Sequence, residues 1–271
     1  MSDITFYLIL VSKCHEIKSR DCEDIFQLGN TIDGVYSIYR NGSQYDVYCD
    51  MNRHGWTVFQ RRFDGSTDFY RDWNSYETGF GNVTGEFWLG LDKIYELTSS
   101  ATYSLRIEME DFDGVWKYAL YSNFKLGDKS TKYTLNYDTF TGNAGDALDY
   151  CKGYRFATYD NDKNNCSMLY SGAWWYRGCH HSNLNGLYNT TIYGKGINWY
   201  HWHGYYYSLK TTEMKIRRID CEDVFKLGNT IDGVYSIYRN GSQYDVYCDM
   251  NRHRVCLQMH ARKLNNIQEY S

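Results

Sequence analysis

From Tyr103 the chain alternates strictly: Tyr103, Leu105, Ile107 and Met109 are apolar, while Ser104, Arg106, Glu108 and Glu110 are polar. A period of two puts these sets on opposite faces of a strand, one toward a core and one toward water. Asp113-Gly114 then supplies a tight turn into Trp116, Tyr118 and Leu120, so the segment reads as a hairpin with one wet face. Trp56 to Arg62 is a further strand, aromatic and β-branched, closed by the turn pair Asp64-Gly65. Glu86 to Leu97 spaces Phe87, Leu89, Leu91, Ile94, Tyr95 and Leu97 in a pattern closer to a helix than to a strand. Beyond Gly142 the periodicity dissolves into a long Gly-, Asn- and Tyr-rich stretch. Irregular segments of that length in compact domains tend to carry function.

A repeat interrupts this order. Asp21 to His54 recurs at Asp220 to His253 with two differences, Ile25 to Val224 and Gln27 to Lys226. Solenoid units diverge while keeping a pattern, so identity this high points to a recent partial duplication or a misjoined exon. The first copy continues Gly55-Trp56-Thr57-Val58, the second Arg254-Val255-Cys256-Leu257 and then polar text without a clear period. The expected organisation is a leader or truncated segment at 1–20, a domain at 21–219, the partial duplicate at 220–253 and an irregular tail at 254–271. Residues from about 220 onward are expected to pack poorly or fray.

Composition narrows the function. The 271 residues carry a net charge of −4, which argues against a nucleic-acid partner. No basic amphipathic face and no span long enough for a bilayer appears, which argues against membrane insertion. There are 29 Tyr and 8 Trp and no Pro. Such rings suit a β-rich core and also a water-facing surface that stacks sugar rings or cradles small apolar groups. Nine cysteines, none in a Cys-x-x-Cys pair, read as disulfides and hence as an oxidising, secreted setting. Five glycosylation sequons, at Asn41, Asn82, Asn165, Asn189 and Asn240, agree with that of a glycoprotein. Phe6 to Val11 is a short apolar run without a preceding basic residue, so the secreted location rests on the cysteines.

No nucleophile elbow, zinc-protease motif or phosphate loop is present, and an enzyme is not expected. Asp160, Asp162 and Asn164 alternate oxygen-bearing side chains, as a hard cation such as Ca2+ requires, or as an Asx-rich turn does unaided. The loop is no EF-hand, because Asn165 and Ser171 stand where glycine and glutamate are needed. The pairs His180-His181 and His201/His203 lack a thiolate or carboxylate at ligand spacing, which favours pocket or surface histidines over zinc ligands.

Motifs in one order run through most of the chain: Cys22-Glu23-Asp24, Tyr48-Cys49-Asp50-Met51, Gly55 to Arg62, Asp64-Gly65-Ser66 and Phe69-Tyr70-Arg71-Asp72-Trp73. Gly85 to Gly90, Gly172 to Tyr176, Cys179 to Gly186 and Gly196-Ile197-Asn198-Trp199 complete the series. From Cys22 to about Arg218 the sequence resembles the fibrinogen C-terminal domain, as found in ficolins, tachylectins and related invertebrate lectins. The resemblance implies an α+β fold: a small disulfide-held N-terminal subdomain, a central twisted antiparallel sheet with short helices, and a loop-rich C-terminal subdomain holding the site. It implies the disulfides Cys22–Cys49 and Cys166–Cys179, the second fixing the loop that carries His180; Cys14, Cys151 and Cys256 have no family partner, and Cys221 would pair with Cys248 only if the second copy folds.

In the acetyl-recognising members an unusual peptide bond precedes the cysteine before the histidine, and backbone amides there hold the acetyl oxygen while aromatic rings enclose its methyl. The matching positions are Gly178, Cys179 and His180, with a wall from Tyr170, Tyr193 and Tyr205 or Tyr206; these tyrosines could equally pack a loop-rich subdomain. The calcium loop is shortened, with only a short run from Asp160 to Cys166, and the segment Thr190 to Lys195 also looks short. Tyr200-His201-Trp202-His203 stands where smaller residues are common. The expected function is a non-enzymatic lectin for acetylated glycans or cell-surface glycoconjugates in innate recognition, possible calcium support and homo-oligomerisation included. The alternative is a protein-binding module of the matrix or receptor-ligand type.

Overall fold

The structure is a computed structural model that describes residues 18–218 except residue 53, and beyond them the backbone of three strands. The apolar run at Phe6, Cys14 and Cys221 lie outside the described residues. Tyr103–Glu110 forms a strand as its alternation predicts, with Tyr103, Leu105, Ile107 and Met109 all fully buried. Its hairpin partner is Trp116–Leu126. The register sets Ile107 opposite Ala119 and Leu105 opposite Tyr121, so the buried face of the second strand carries Ala119 and Tyr121. Trp116, Tyr118 and Leu120 fall on the wet face, opposite Glu110, Glu108 and Arg106, because the connection 111–115 places Trp116 against Glu110. The Arg106 guanidinium sits 4.3 Å over the Tyr118 ring, which uses that outward aromatic.

In chain order, helix α1 (Cys22–Gln27) precedes β1 (Gly34–Arg40), β2 (Ser43–Asp50) and β3 (Trp56–Arg62). Helix α2 (Trp73–Thr78) and the short strands β4 (Phe80–Gly81) and β5 (Phe87–Trp88) lead to α3 (Leu91–Ser99). The segment 86–97 is therefore not one helix. Gly90 breaks it at φ 112, where an added Cβ would lie 2.7 Å from the Thr78 carbonyl oxygen. After this break α3 buries Leu91, Ile94, Leu97 and Thr98 at helical spacing.

The hairpin just described is β6 and β7, followed by β8 (Leu135–Asn136) and β9 (Phe140–Gly142). Strand β12 (Thr211–Arg218) inserts between β3 and β6, giving the order β1-β2-β3-β12-β6-β7-β8 in a ten-stranded sheet whose described pairings are antiparallel. This insertion returns the end of the domain to its start: Arg218 pairs with Asp21, at 2.7 Å, and with Asp24, on the cap and first turn of α1. The Cys22–Cys49 disulfide ties the same helix to β2.

Between β9 and β12 lie α4 (Cys166–Tyr170), the pair β10 (Ser182–Asn183) and β11 (Asn198–Trp199), and α5 (Tyr200–His203). Little ladder exists here to satisfy the backbone, so buried asparagines do that work. Asn183, Asn185 and Asn198 are fully buried, and their amides donate to carbonyls of Tyr170, Ala173 and Tyr207. Trp174, Trp175 and Trp199 fill the interior around them. Gln60 and the buried Arg62 of β3 donate to the Leu184 carbonyl, docking this loop-rich layer onto the sheet.

The second copy keeps the pairing of the first at the backbone. Strands β13 (Gly233–Arg239) and β14 (Ser242–Asp249) pair Gly233 with Cys248 as β1 and β2 pair Gly34 with Cys49. Strand β15 (Val255–Gln258) then lies along β14 in a separate three-stranded sheet, setting Cys256 opposite Cys248 where the first copy sets Thr57 opposite Cys49. The residues around these strands, on which the expected fraying falls, lie outside the described residues. Among the described residues no helix is long and apolar enough to cross a membrane.

Candidate ligand-binding site

The site grows from one covalent tie. The Cys166–Cys179 disulfide joins the first residue of α4 to the loop before β10. Cys179 is held at φ 85, a region that only glycine adopts without strain, and its carbonyl accepts from the Arg177 amide at 3.1 Å. The expected unusual peptide bond before it is not seen: the described peptide bonds are all trans, and the local distortion sits on the Cys179 φ instead. As a result the amides of Cys179 and His180 find no acceptor among the described residues.

His180 is 4% exposed, and its Nε2 lies 3.0 Å from the Gly194 carbonyl oxygen. A carbonyl can only accept, so Nε2 carries the proton and Nδ1 is a bare acceptor, buried without a partner. Burial pushes the imidazole pKa down to about 4, the Gly194 bond opposing and His181 adding to the fall, so the ring is neutral at physiological pH. Tyr170 meets it edge-on at 4.6 Å and Tyr205 at 5.6 Å, while the Tyr205 hydroxyl donates to the His180 carbonyl at 3.0 Å. Gly194 has to be glycine for this packing, since a Cβ there would lie 2.4 Å from the Tyr170 ring. Tyr193, 46% exposed, packs 5.1 Å from both Tyr205 and the outermost ring, Tyr206. Tyr170, Cys179, His180, Tyr193 and Tyr205 thus stand together at one place on the loop-rich layer.

The acidic loop is organised differently. Asp160 Oδ1 accepts from the Trp73 amide at 3.0 Å and the Thr158 hydroxyl at 2.7 Å. Asp162 accepts from the Asn164 and Ser167 amides through its two oxygens, and Asn164 donates to the Arg177 carbonyl at 3.0 Å. The three side chains serve three separate backbone segments as caps and braces, and of the carboxylate oxygens only Asp160 Oδ2 is left without a hydrogen-bond partner among the described residues. A different acidic group, Asp50, Glu108 and Glu213, does converge within 4.8 Å. Lys215 already fills it, its ammonium 2.5, 2.7 and 2.9 Å from the three carboxylates. Burial works against both charges, yet the Lys215 and Arg106 cations hold Glu108 down to about 2, and the three carboxylates raise Lys215. A lysine in the place of a cation leaves no room for a metal. A cavity of about 390 Å³ opens over this group on the sheet, away from His180. Its members are scattered over β2, β6 and β12, and no local motif signals them.

The remaining histidines have separate partners. His203 pairs with Asp111 at 3.1 Å. His181 stacks between Tyr150, at 4.2 Å, and Tyr200, at 5.2 Å, with His201 edge-on at 5.8 Å. Tyr150 is a member of this cluster that the residue pattern does not single out.

The C-terminal globular domain of fibrinogen beta and gamma chains, as a family profile, matches residues 18–219. The chain belongs to this family. Among its relatives, fibrinogen C domain-containing protein 1-A of Xenopus laevis is 49% identical over 216 residues, covering 74% of this chain and 47% of that protein. The chain thus spans about half the length of that curated relative. Human microfibril-associated glycoprotein 4 is 47% identical over 215 residues, covering 73% of this chain and 84% of the relative. The fibrinogen-like globe domain of human ANGPTL6 superimposes with a TM-score of 0.72 at 37% identity, over 74% of this chain and 96% of that domain. Lamprey fibrin D-dimer, solved with the peptide ligand Gly-His-Arg-Pro-amide, gives 0.71 at 32% identity over 80% of this chain and 84% of its own. A fibrinogen C-terminal domain is a binding module and not an enzyme, so the fold of this chain serves recognition.

Proposed function

We propose that this fibrinogen C-terminal domain is a secreted lectin that recognises acetylated glycans at the Gly178–His180 segment. The observation that carries the reading is the pair of unengaged amides of Cys179 and His180 beside the rings of Tyr170 and Tyr205. Two successive unengaged N–H donors can read a carbonyl oxygen, and rings beside them can bury the adjoining methyl, worth about 0.8 kcal/mol per carbon group by area. Neutral His180 keeps the site free of charge, which suits an uncharged acetamido group. The two disulfides support an oxidising, extracellular setting. Such a site is small, so useful avidity on a decorated cell surface, as innate recognition requires, would come from several copies acting together. None of the residues that would touch the acetyl group belongs to the Asp160–Asn164 loop, so the reading does not require calcium in the site itself.

The test is binding of the whole chain to immobilised N-acetylated sugar, with elution by free N-acetylglucosamine. The proposal expects saturable binding that survives chelation by EGTA and is lost in Tyr170→Ala. Absence of binding by folded protein rejects it.

A second reading, recognition of a protein or peptide, draws on two observations. The lamprey relative was solved with a bound peptide, and the turn between β6 and β7 with the first residue of β7 exposes Phe112, Val115 and Trp116 by 47, 49 and 53%. An apolar cluster on a loop tip is the sort of surface a protein partner covers.

A further inference from the structure

Five aromatic rings, beginning with Tyr193 and Tyr205 of the proposed acetyl site, stand in a single row. Tyr193 lies 5.1 Å from Tyr205, Tyr205 lies 4.8 Å from Tyr200, Tyr200 lies 5.2 Å from His181, and His181 lies 4.2 Å from Tyr150. The Arg177 guanidinium closes the row 5.3 Å over the Tyr150 ring. Within the row, Tyr205, Tyr200, His181 and Tyr150 are near-parallel, with successive planes turned by 31°, 26° and 22°. Within the row only successive rings are in contact, and His201 braces its middle edge-on, 5.4 Å from Tyr200 and 5.8 Å from His181. Tyr200 is 44% exposed, and His181 and Tyr150 are half-buried, so the row borders solvent instead of filling a core.

The row also runs alongside the site. At one end the Tyr205 hydroxyl bonds the His180 carbonyl. At the other, the Tyr150 hydroxyl oxygen lies 3.0 Å from where a Cβ on Gly178 would be. Rings stacked face to face turn their edges outward, and here those edges bear phenol hydroxyls and imidazole nitrogens that both donate and accept. An aromatic ring is negative on its face, so the ring surface exposed at Tyr193 and Tyr200 suits the C–H face of a pyranose, while the hydroxyls and ring nitrogens beside it suit the hydroxyl rim. A ligand seated by its acetyl group between Gly178 and His180 would find its next rings directly over this row.

We propose that the row Tyr205–Tyr200–His181–Tyr150 is a track for a linear oligosaccharide, taking the sugars that follow the acetylated residue held at His180. This rests on the acetyl reading for the first sugar, and it names the ligand class as an extended chain of sugars instead of a single acetylated unit. Arg177 gives the far end a cation for the hydroxyls of the last ring. Tyr200 and His201 belong to the segment where the sequence departs from the smaller residues usual at that place, so the track is a property of this chain's own residues.

The test is calorimetric titration of the whole chain with N-acetylglucosamine and its β1,4-linked di-, tri- and tetrasaccharides. The proposal expects affinity to rise at least tenfold from mono- to trisaccharide. In Tyr200→Ala and in Tyr150→Ala, each checked for an unchanged unfolding transition, that gain falls below threefold. Equal affinity at every length in the unaltered chain overturns the track while leaving the acetyl site standing. A gain that both variants retain overturns it as well. Length-dependent binding lost in the variants, with no measurable binding of the monosaccharide, supports the track and removes the acetyl anchor. No binding at any length rejects both.

Discussion

His180 and Lys215 are both buried ionisable residues, and they resolve burial in opposite ways. His180 has no carboxylate beside it and stays neutral, whereas Lys215 keeps its charge inside a ring of three carboxylates. Each sets a pH or mutational response. The unfolded imidazole titrates near 6.5 and the folded one near 4, so between those values the unfolded state binds more protons. Stability contributed by neutral His180 is complete above pH 6.5 and is lost as pH falls toward 4, to an extent of about 3 kcal/mol. Chemical denaturation at pH 7 and pH 4.5 measures this, and His180→Gln is expected to flatten that part of the profile. Removing the Lys215 ammonium leaves three carboxylates facing one another. Lys215→Ala is therefore expected to cost about 3–5 kcal/mol in urea unfolding, the range for breaking a buried ion pair. An unchanged midpoint would mean that water, and not the lysine, screens this group.

At the scale of elements, the disulfide Cys166–Cys179 does two things at once. It closes a loop with a sequence separation of 13, worth about 3 kcal/mol by loop entropy, and it ties down Cys179 at positive φ, where its own amide and that of His180 have no acceptor among the described residues. The double substitution Cys166→Ser with Cys179→Ser is expected to lower the unfolding midpoint and to abolish sugar binding even at temperatures where the protein is folded. Binding retained at full strength would assign the geometry to the hydrogen bonds alone. The alternation of β6 and the aromatic run of β3 were legible in the chain because they are local, period-two patterns. The outward parity of Trp116, Tyr118 and Leu120 was not, since it depends on the pairing register set by the connection 111–115. The break of segment 86–97 at Gly90 escaped the apolar spacing because it answers to the Thr78 carbonyl packed against it. Residues around the site could be named by resemblance, but their ring-to-ring distances, and Tyr150 with them, arise only when loops distant in sequence are folded together.

For the molecule as a whole, the ten-stranded sheet is closed by β12. β12 enters between β3 and β6 and delivers Arg218 to Asp21 and Asp24, so the unit is complete at the end of that strand. The repeated hairpin β13–β14 forms its own sheet with β15 and pairs with none of the strands of the first. A fragment of residues 18–219 is accordingly expected to unfold cooperatively at the midpoint of the same domain in the whole chain and to bind sugar equally well. Circular dichroism melting and titration of both proteins check this, and loss of folding in the fragment would make the second copy part of the domain. The central claim concerns the two amides at the bottom of the tyrosine wall. It is tested most directly by assigned amide NMR spectra of the chain titrated with N-acetylglucosamine and, separately, with glucosamine, which lacks the acetyl group. The account predicts that the Cys179 and His180 amide signals move downfield and saturate with the acetylated sugar alone. Equal shifts with both sugars, or none at these two residues while others move, would contradict it.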